Sequence, residues 1–221
     1  MAELTAPSAG PTPAEEEASF YHEASLNATW TGSRLAIGAL SLGFGSFIFA
    51  FFYLRSLNSH GRWYPAGFHG PQLWLGTLIM GLIVASAAVQ SLVLQRIKAG
   101  RKAAWQRGAS AALILGLGAV GLQIAQLLNL PFWPGASGFA SVFTGFWPVY
   151  LIIALAVLTW LETLIMRCRA ILEIWLVEQP PTYAEAFAVQ RFQASLSAFT
   201  VVWNYLAAVA ILAWVLFYLV H

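Results

Sequence analysis

The chain has 221 residues, of which 59% are hydrophobic and only 9% are charged, and its mean hydropathy is +0.70. Because a soluble globular domain is about 25% charged, this composition excludes an ordinary soluble domain and indicates an integral membrane protein. The net charge of +2 is small, so the distribution of the charges is more informative than their sum. A single cysteine, Cys168, excludes an internal disulfide and any metal cluster built from several cysteines.

Residues 1–31 form an acidic, proline-rich tail that we predict to be partly disordered. Three glutamates follow one another at residues 15–17, and residues 14–26 could form a short helix that nothing in the sequence requires. The tail has neither the basic start nor the apolar segment of a secretory signal, so we expect no such signal here.

The rest of the chain, residues 32–221, contains five apolar segments that are long enough to cross a bilayer as helices. Pro148 lies inside the fourth segment and should kink that helix or loosen its hydrogen bonding. Pro180 and Pro181 predict a break in the connector before the last segment. The predicted fold is an all-α membrane protein with five transmembrane helices, at about residues 34–54, 72–95, 105–128, 139–166 and 194–220.

A short basic turn between the second and third segments orients the chain. A Lys or Arg at the centre of a membrane helix costs roughly 2.5–3.5 kcal/mol, and cytoplasmic loops are enriched in these residues, so the turn should lie in the cytoplasm. This places nine of the eleven basic residues on the cytoplasmic side, leaving Arg55 and Arg62 on the other. We therefore predict a cytoplasmic N-terminus and a periplasmic C-terminus. We expect the turn to bind anionic headgroups, at roughly 1 kcal/mol per cation; its cations are Arg96, Lys98, Arg101, Lys102 and Arg107.

Few polar residues lie within the predicted spans. Glu162 is the only acidic one, and we interpret it as an interfacial partner of Arg167 or Arg169; a contact with a partner subunit or a proton-entry site is the alternative. Two glutamines three residues apart share a helix face and should form hydrogen bonds between helices rather than bind a substrate. The intramembrane polar residues are Ser41, Thr77, Gln90, Gln123, Gln126, Glu162 and Asn204.

Small residues in the first and third spans predict close helix contacts. In lipid, helices associate through faces of small side chains that let their backbones approach. The glycines that we expect to pack against neighbouring helices are Gly38, Gly43, Gly45, Gly116, Gly118 and Gly121.

The chain lacks the residue patterns of a catalytic centre. All four histidines lie in predicted tails or loops, whereas haem and copper sites in membranes need imidazoles on facing helices. The sequence has no glycine-rich phosphate loop and no pairing of a nucleophile with a base. We therefore expect no catalytic, cofactor-binding or metal-binding residue in this chain and no binding of nucleic acid.

Four segments carry a recognisable pattern. Residues 203–208 read WNYLAA, residues 121–126 read GLQIAQ, residues 141–150 read SVFTGFWPVY, and residues 49–55 read FAFFYLR. With the aromatic residues that follow in the last span, these segments resemble subunit III of the haem-copper oxidases, in its five-helix form from bacterial cytochrome c and quinol oxidases.

The departures from the family pattern all remove charged or imidazole groups. Where the family patterns have carboxylates or histidines, this chain has neutral residues, so the resemblance implies a structural and lipid-binding role rather than a protonic one. The replacements are Ser41 near the position of an acid, Gln123 for Glu, Trp147 and Tyr150 for histidines, and Asn204 and Ala207 for His and Asp.

The resemblance implies a non-catalytic accessory subunit of a respiratory terminal oxidase in a bacterial plasma (inner) membrane. Such a subunit would stabilise the catalytic subunit I and bind phospholipid between its helices, while haem and copper belong to partner subunits. Three alternatives stay open: a similar partner of a nitric oxide reductase, a stand-alone small transporter, and an enzyme that acts on a lipid or a quinone through Glu162 and the glutamines. The electron donor, cytochrome c or quinol, is also open.

Overall fold

The computed structural model describes residues 13–58, 63–176 and 183–220, and they form five long helices. All five are long and apolar enough to cross a membrane, and the described residues include no strand, so the predicted five-helix all-α fold is confirmed. The helices are α1 (Pro13–Leu57), α2 (Leu73–Lys98), α3 (Lys102–Leu128), α4 (Gly138–Ala170) and α5 (Tyr183–Trp214), with a 3₁₀ turn at Glu173–Leu176 and a π-helical turn at Val215–Leu219.

Helices α2 to α5 form a four-helix bundle, and α1 lies outside it. Helix α2 contacts α3 and α5, and α4 also contacts α3 and α5, so each helix of the bundle packs on two neighbours. Helix α1 packs against α4 and α5 and is the least buried of the five. The bundle therefore has two ends. We name the end with the α2–α3 turn the basic end, and the end with the α1–α2 and α3–α4 loops the aromatic end.

The basic end is fixed by a tight turn and one lysine. Gly100 follows α2 with a φ of 74°. Its amide and that of Arg101 donate to the carbonyls of Ile97 and Arg96, which is the Schellman pattern that satisfies the last carbonyls of a helix. From the start of α3, the Lys102 ammonium donates to the carbonyls of Arg169, at 3.1 Å, and of Ile171. The positive charge of Lys102 is also stabilised by the negative, C-terminal end of the α4 dipole.

The aromatic end is held by a cluster of aromatic rings and one backbone hydrogen bond. The rings of Trp63, Tyr64 and Phe68 lie with their centroids 4.9–5.9 Å from the ring of Phe139 at the start of α4. The Phe139 amide donates to the Trp63 carbonyl at 3.3 Å. Burial raises the pKa of the Tyr64 hydroxyl, although the charge of Arg55 acts in the opposite direction. These contacts join the α1–α2 loop to α4.

Helix α1 continues through the boundary that the sequence predicts at residue 31. Residues 13–31 are helical and run into the first span without a break. Two side chains after this boundary contact Trp30 before it. The Ser33 hydroxyl donates to the Trp30 carbonyl at 2.8 Å, and the Arg34 guanidinium carbon lies 4.5 Å from the centroid of the Trp30 ring. The first twelve residues, on which much of the predicted disorder falls, lie outside the described residues.

Two predicted breaks have different outcomes. Helix α4 continues through Pro148, which has no N–H to donate to the carbonyl one turn earlier. The predicted break at Pro180 and Pro181 lies outside the described residues. A third irregularity was not predicted: the Val220 amide donates to the Val215 carbonyl at 3.1 Å, which makes the last turn of the chain π-helical.

Five of the six glycines predicted to mediate close packing do not do so within this chain. A Cβ added at these five would meet no other atom within 4 Å, because their faces point away from the bundle. Only Gly116 lies against neighbours, where a Cβ would be 2.7 Å from Leu158 and 3.3 Å from Trp203. Hydropathy gives the length of a lipid-embedded helix but not its rotation, which is why the prediction fails for contacts within this chain. The five are Gly38, Gly43, Gly45, Gly118 and Gly121.

Other glycines make the close contacts instead. Gly76 of α2 lies directly under the ring of Tyr218, and Gly108 of α3 lies against Val93. Replacing Gly76 with alanine is expected to lower the free energy of unfolding by roughly 1–3 kcal/mol, because the buried ring would have to move. The matched control is Gly81 on the same helix, where a Cβ meets nothing.

Unfolding of the two variants in mixed detergent micelles measures this difference. Gly81→Ala should be neutral or slightly stabilising, because alanine favours a helix over glycine by about 1 kcal/mol. Equal stabilities of Gly76→Ala and Gly81→Ala would contradict the packing of Tyr218 on α2.

Candidate functional site

The centre of the bundle contains a chain of hydrogen bonds that joins three helices. The Trp203 indole N–H donates to the Ser86 hydroxyl at 3.1 Å, and that hydroxyl donates to the Ala112 carbonyl at 2.6 Å. Ser86 has no exposed surface and Trp203 is 1% exposed. Because the hydrocarbon region offers no water, polar groups at this depth need protein partners, and this chain of bonds supplies them across α5, α2 and α3.

A second network joins α3 to the end of α5. The Gln123 amide donates to Gln126 Oε1 at 3.1 Å, and the Tyr218 hydroxyl donates to the same oxygen at 2.9 Å. Both glutamines are buried, and their three-residue spacing brings them together as the sequence indicates. The bond between helices runs through Tyr218. The π-helical turn holds three consecutive residues, Leu216, Phe217 and Tyr218, in buried positions.

Aromatic rings surround this network. Phe217 of the π-helical turn has ring centroids of Phe51, Phe143 and Phe146 within 5.3–5.7 Å, and the three pairs meet in edge-on geometries. The Tyr150 hydroxyl donates to the Leu206 carbonyl at 3.1 Å and ties α4 to α5. The packing joins α1, α4 and the end of α5 into one aromatic cluster.

Several buried polar atoms have no hydrogen-bond partner among the described residues. Gln90 is 0% exposed, and neither its amide nitrogen nor its oxygen is paired. The same holds for Gln123 Oε1 and for the indole nitrogens of Trp147 and Trp105. Each such group is expensive in a membrane interior, so these positions are candidates for bound polar molecules.

The remaining uncharged polar residues of the prediction lie at exposed positions and link neighbouring helices. The Ser41 hydroxyl of α1 lies 2.9 Å from the Tyr205 hydroxyl of α5. The Asn204 amide of α5 donates to the Ser91 hydroxyl of α2 at 3.0 Å. A third pair joins Trp214 to Thr77, whose hydroxyl accepts the indole N–H at 3.1 Å.

The predicted pairing of Glu162 is wrong in this structure. Its side chain is exposed, and within the described part of the chain it forms no hydrogen bond or ion pair with either predicted arginine. The geometry of a helix explains this, because Arg167 lies about 140° around the axis from Glu162 and Arg169 lies about 10 Å along it.

The basic turn is divided between two roles. Lys102 is half-buried and donates to backbone carbonyls at the end of α4, so it joins α3 to α4 within the protein. The other four cations are exposed and remain candidates for headgroup binding; they are Arg96, Lys98, Arg101 and Arg107.

The networks consist of Gln, Ser, Tyr and Trp side chains, none of which titrates near neutral pH. They can accept and donate hydrogen bonds and can hold helices in register, but they pair no nucleophile with a base. Within residues 13–58, 63–176 and 183–220, no three His, Cys, Asp or Glu side chains lie close enough together to hold a metal ion.

Sequence reasoning missed Ser86, Trp203, Tyr150 and Tyr218 as members of the networks. Two of them could have been found from their positions in the sequence. Trp and Tyr are usually enriched at the membrane interfaces, whereas Trp203 and Tyr150 lie well inside their spans. No protein-family model matches the chain, and no curated protein matches it significantly. The residues and their geometry therefore carry the functional argument.

Proposed function

We propose that this chain is a non-catalytic accessory subunit, of the subunit III type, in a haem-copper terminal oxidase of a bacterial plasma membrane. The observation that carries the proposal is that the aromatic residues at the end of the last helix contact the resembling segments of α1, α3 and α4. Phe217 from the last helix contacts Phe51 of α1 and Phe143 of α4, and Tyr218 binds Gln126 of α3. A shared architecture requires these segments to meet at one end of the bundle.

The distribution of exposed apolar surface supports a role in an assembly. Helix α1 exposes Leu35, Leu42 and Phe49 to at least 69%. Gly38 and Gly45 on the same helix have open space where a side chain would be. Such a face suits close packing against another transmembrane helix, here one of the catalytic subunit I, with lipid around it. Haem and copper belong to the partners in this proposal.

Purification from native membranes in mild detergent tests the proposal. A tagged chain is expected to bring down a haem-bearing subunit, visible in the reduced-minus-oxidised spectrum, together with phospholipid in an organic extract of the complex. The complex should consume oxygen; consumption of nitric oxide instead would identify a nitric oxide reductase as the partner.

The control is an unrelated tagged membrane protein from the same cells. Recovery of this chain alone, without haem, would contradict the proposed function, and a transport activity of the isolated chain would favour the transporter alternative.

The proposed orientation places the basic end in the cytoplasm. It follows from the positive-inside rule, since Lys98 and its neighbours lie at one end of the bundle. In a Cys168→Ser background, Lys98→Cys should react with a membrane-impermeant maleimide only after the cells are opened. Ala136→Cys, exposed at the aromatic end, should react in intact spheroplasts. The reverse pattern would invert the topology.

A further inference from the structure

A pocket opens at the aromatic end, between α2, α3 and the two loops. Its volume is about 470 Å³, and sites for small organic molecules have volumes of roughly 300–1,000 Å³. Apolar side chains form much of its lining, among them Phe68, Leu75, Leu122 and Leu130. None of the described residues that line it is charged. The pocket is therefore suited to an apolar molecule that has no charged group.

The walls of the pocket are held by contacts that need no ligand. In the α1–α2 loop, the Phe68 ring packs on the rings of Phe132 and Phe139, with centroids 4.9 and 5.9 Å away. At the start of α2, the Gly76 amide donates to the Gln72 carbonyl at 3.1 Å, and α2 itself packs along α3. The pocket is thus formed in the unliganded chain, as most small-molecule sites are.

One polar side chain of the lining has unused hydrogen-bond donors. Gln126 is 8% exposed, and its Oε1 already accepts hydrogen bonds from Gln123 and Tyr218. An amide oxygen has two lone pairs, so both are occupied. The Gln126 Nε2 carries two hydrogens and donates to no described residue, and unlike the amide nitrogen of Gln90 it is not sealed within the protein. Because Gln126 lines the pocket, this is the open space that its amide nitrogen faces.

The character of the missing partner follows from these observations. An amide nitrogen can only donate, so the partner of Gln126 must supply an acceptor. The lining offers no cation among its described residues to balance an anionic acceptor. A neutral carbonyl oxygen on an otherwise apolar molecule meets both conditions.

We propose that this pocket binds the carbonyl end of an uncharged amphiphile, with Gln126 Nε2 donating to the carbonyl oxygen. The apolar remainder of the molecule lies against Phe68, Leu75 and Leu122. Two classes of membrane molecule carry such a group: a quinone has it on the ring, and a glycerolipid has it in the ester linkage. The site belongs to this chain alone, so it does not depend on which complex the chain joins.

Titration of the delipidated full chain in dodecyl maltoside, a detergent without a carbonyl group, tests the site. With ¹⁵N-labelled glutamine side chains, the Nε2 hydrogens of Gln126 are observed and assigned by NMR. The two probes are decylubiquinone and dioleoylglycerol. At least one of them should shift the Gln126 hydrogens downfield in a saturable way and leave Gln90 unmoved, since Gln90 is 0% exposed and does not line the pocket.

The probe that produces this shift identifies the source of the carbonyl, and a shift with both means that the site recognises the carbonyl itself. A Gln126 signal that moves with neither probe, or only together with that of Gln90, would overturn the proposal.

A blocking variant tests the location without removing a member of the network. Ala125 lines the pocket at an exposed position of α3, so Ala125→Trp fills the space and keeps the Gln126 side chain. The matched control is Ala111→Trp, at an exposed position of the same helix that does not line the pocket. Ala125→Trp should abolish the saturable shift, and Ala111→Trp should retain it. Equal binding by the two variants would overturn the proposed site.

Discussion

Replacing Trp203 with alanine is expected to lower the free energy of unfolding by roughly 3–5 kcal/mol. The indole is 1% exposed, packs against Gly116 of α3, and donates to Ser86 of α2. Truncation would therefore leave a large cavity where α2, α3 and α5 meet. Helices in lipid associate through packing contacts, with no hydrophobic effect between them, so the lost contacts are not compensated. Unfolding of the purified protein by SDS in mixed micelles measures the loss.

Two variants separate the size of Trp203 from its hydrogen bond. Trp203→Phe keeps an aromatic ring but loses the N–H and part of the indole, so its cost should lie between the roughly 1 kcal/mol of a lost hydrogen bond and the cost of Trp203→Ala. Trp133→Ala removes an indole that is 84% exposed in the α3–α4 loop and should change little. Trp203→Ala and Trp133→Ala of equal stability would show that Trp203 does not hold the bundle together.

Replacing two buried glutamines with leucine is expected to change stability in opposite directions. Gln126→Leu removes the oxygen that accepts from Gln123 and Tyr218, and should cost roughly 1–3 kcal/mol for each donor left unpaired. Gln90→Leu removes an amide whose polar atoms have no partner among the described residues, and leaves no described donor or acceptor unpaired. It should raise the free energy of unfolding by roughly 1–3 kcal/mol, because the folded protein no longer buries an amide that lacks hydrogen-bond partners.

The comparison is informative because the substitutions are chemically identical. SDS unfolding of both variants alongside wild type gives the sign of each change. A destabilised Gln90→Leu would mean that the amide has a bound partner in the folded protein, and an unchanged Gln126→Leu would contradict the network at the end of α5.

The number of the helices and several of their limits follow from the sequence because the bilayer sets a minimum length for each apolar segment, whereas α1 and α5 begin earlier than predicted, at Pro13 and Tyr183. The spans predicted to start at residues 72 and 139 begin at Leu73 and Gly138 in the structure. Rotation about each helix axis does not follow in the same way, because a span is apolar on its lipid face and on its protein face alike. Gly38 and Gly76 look equivalent in the sequence, yet only Gly76 meets another helix.

The networks were predictable where a partner lies on the same helix and not where it lies elsewhere. The spacing of Gln123 and Gln126 brings them together, but the hydrogen bond from Tyr218 depends on a π-helical turn, and Tyr218 lies 92 residues from Gln126 in sequence. Ser86 looks like an ordinary small residue, and its importance depends on the indole of Trp203. Glu162 shows the reverse error, since nearness in sequence suggested an ion pair that the structure does not contain.

The peripheral position of α1 has a consequence for biogenesis. This helix leaves the ribosome first, yet its packing partners α4 and α5 are made last. Leu57 and Gly138 are separated by about 80 residues, so at 5–20 residues per second α1 spends on the order of ten seconds in lipid before α4 begins to emerge. The α2–α3 hairpin can close during that interval, because its two helices pack mainly on each other. Helix α1 must therefore be held in the membrane by its own hydrophobicity, and its final docking on α4 and α5 is a late step of assembly.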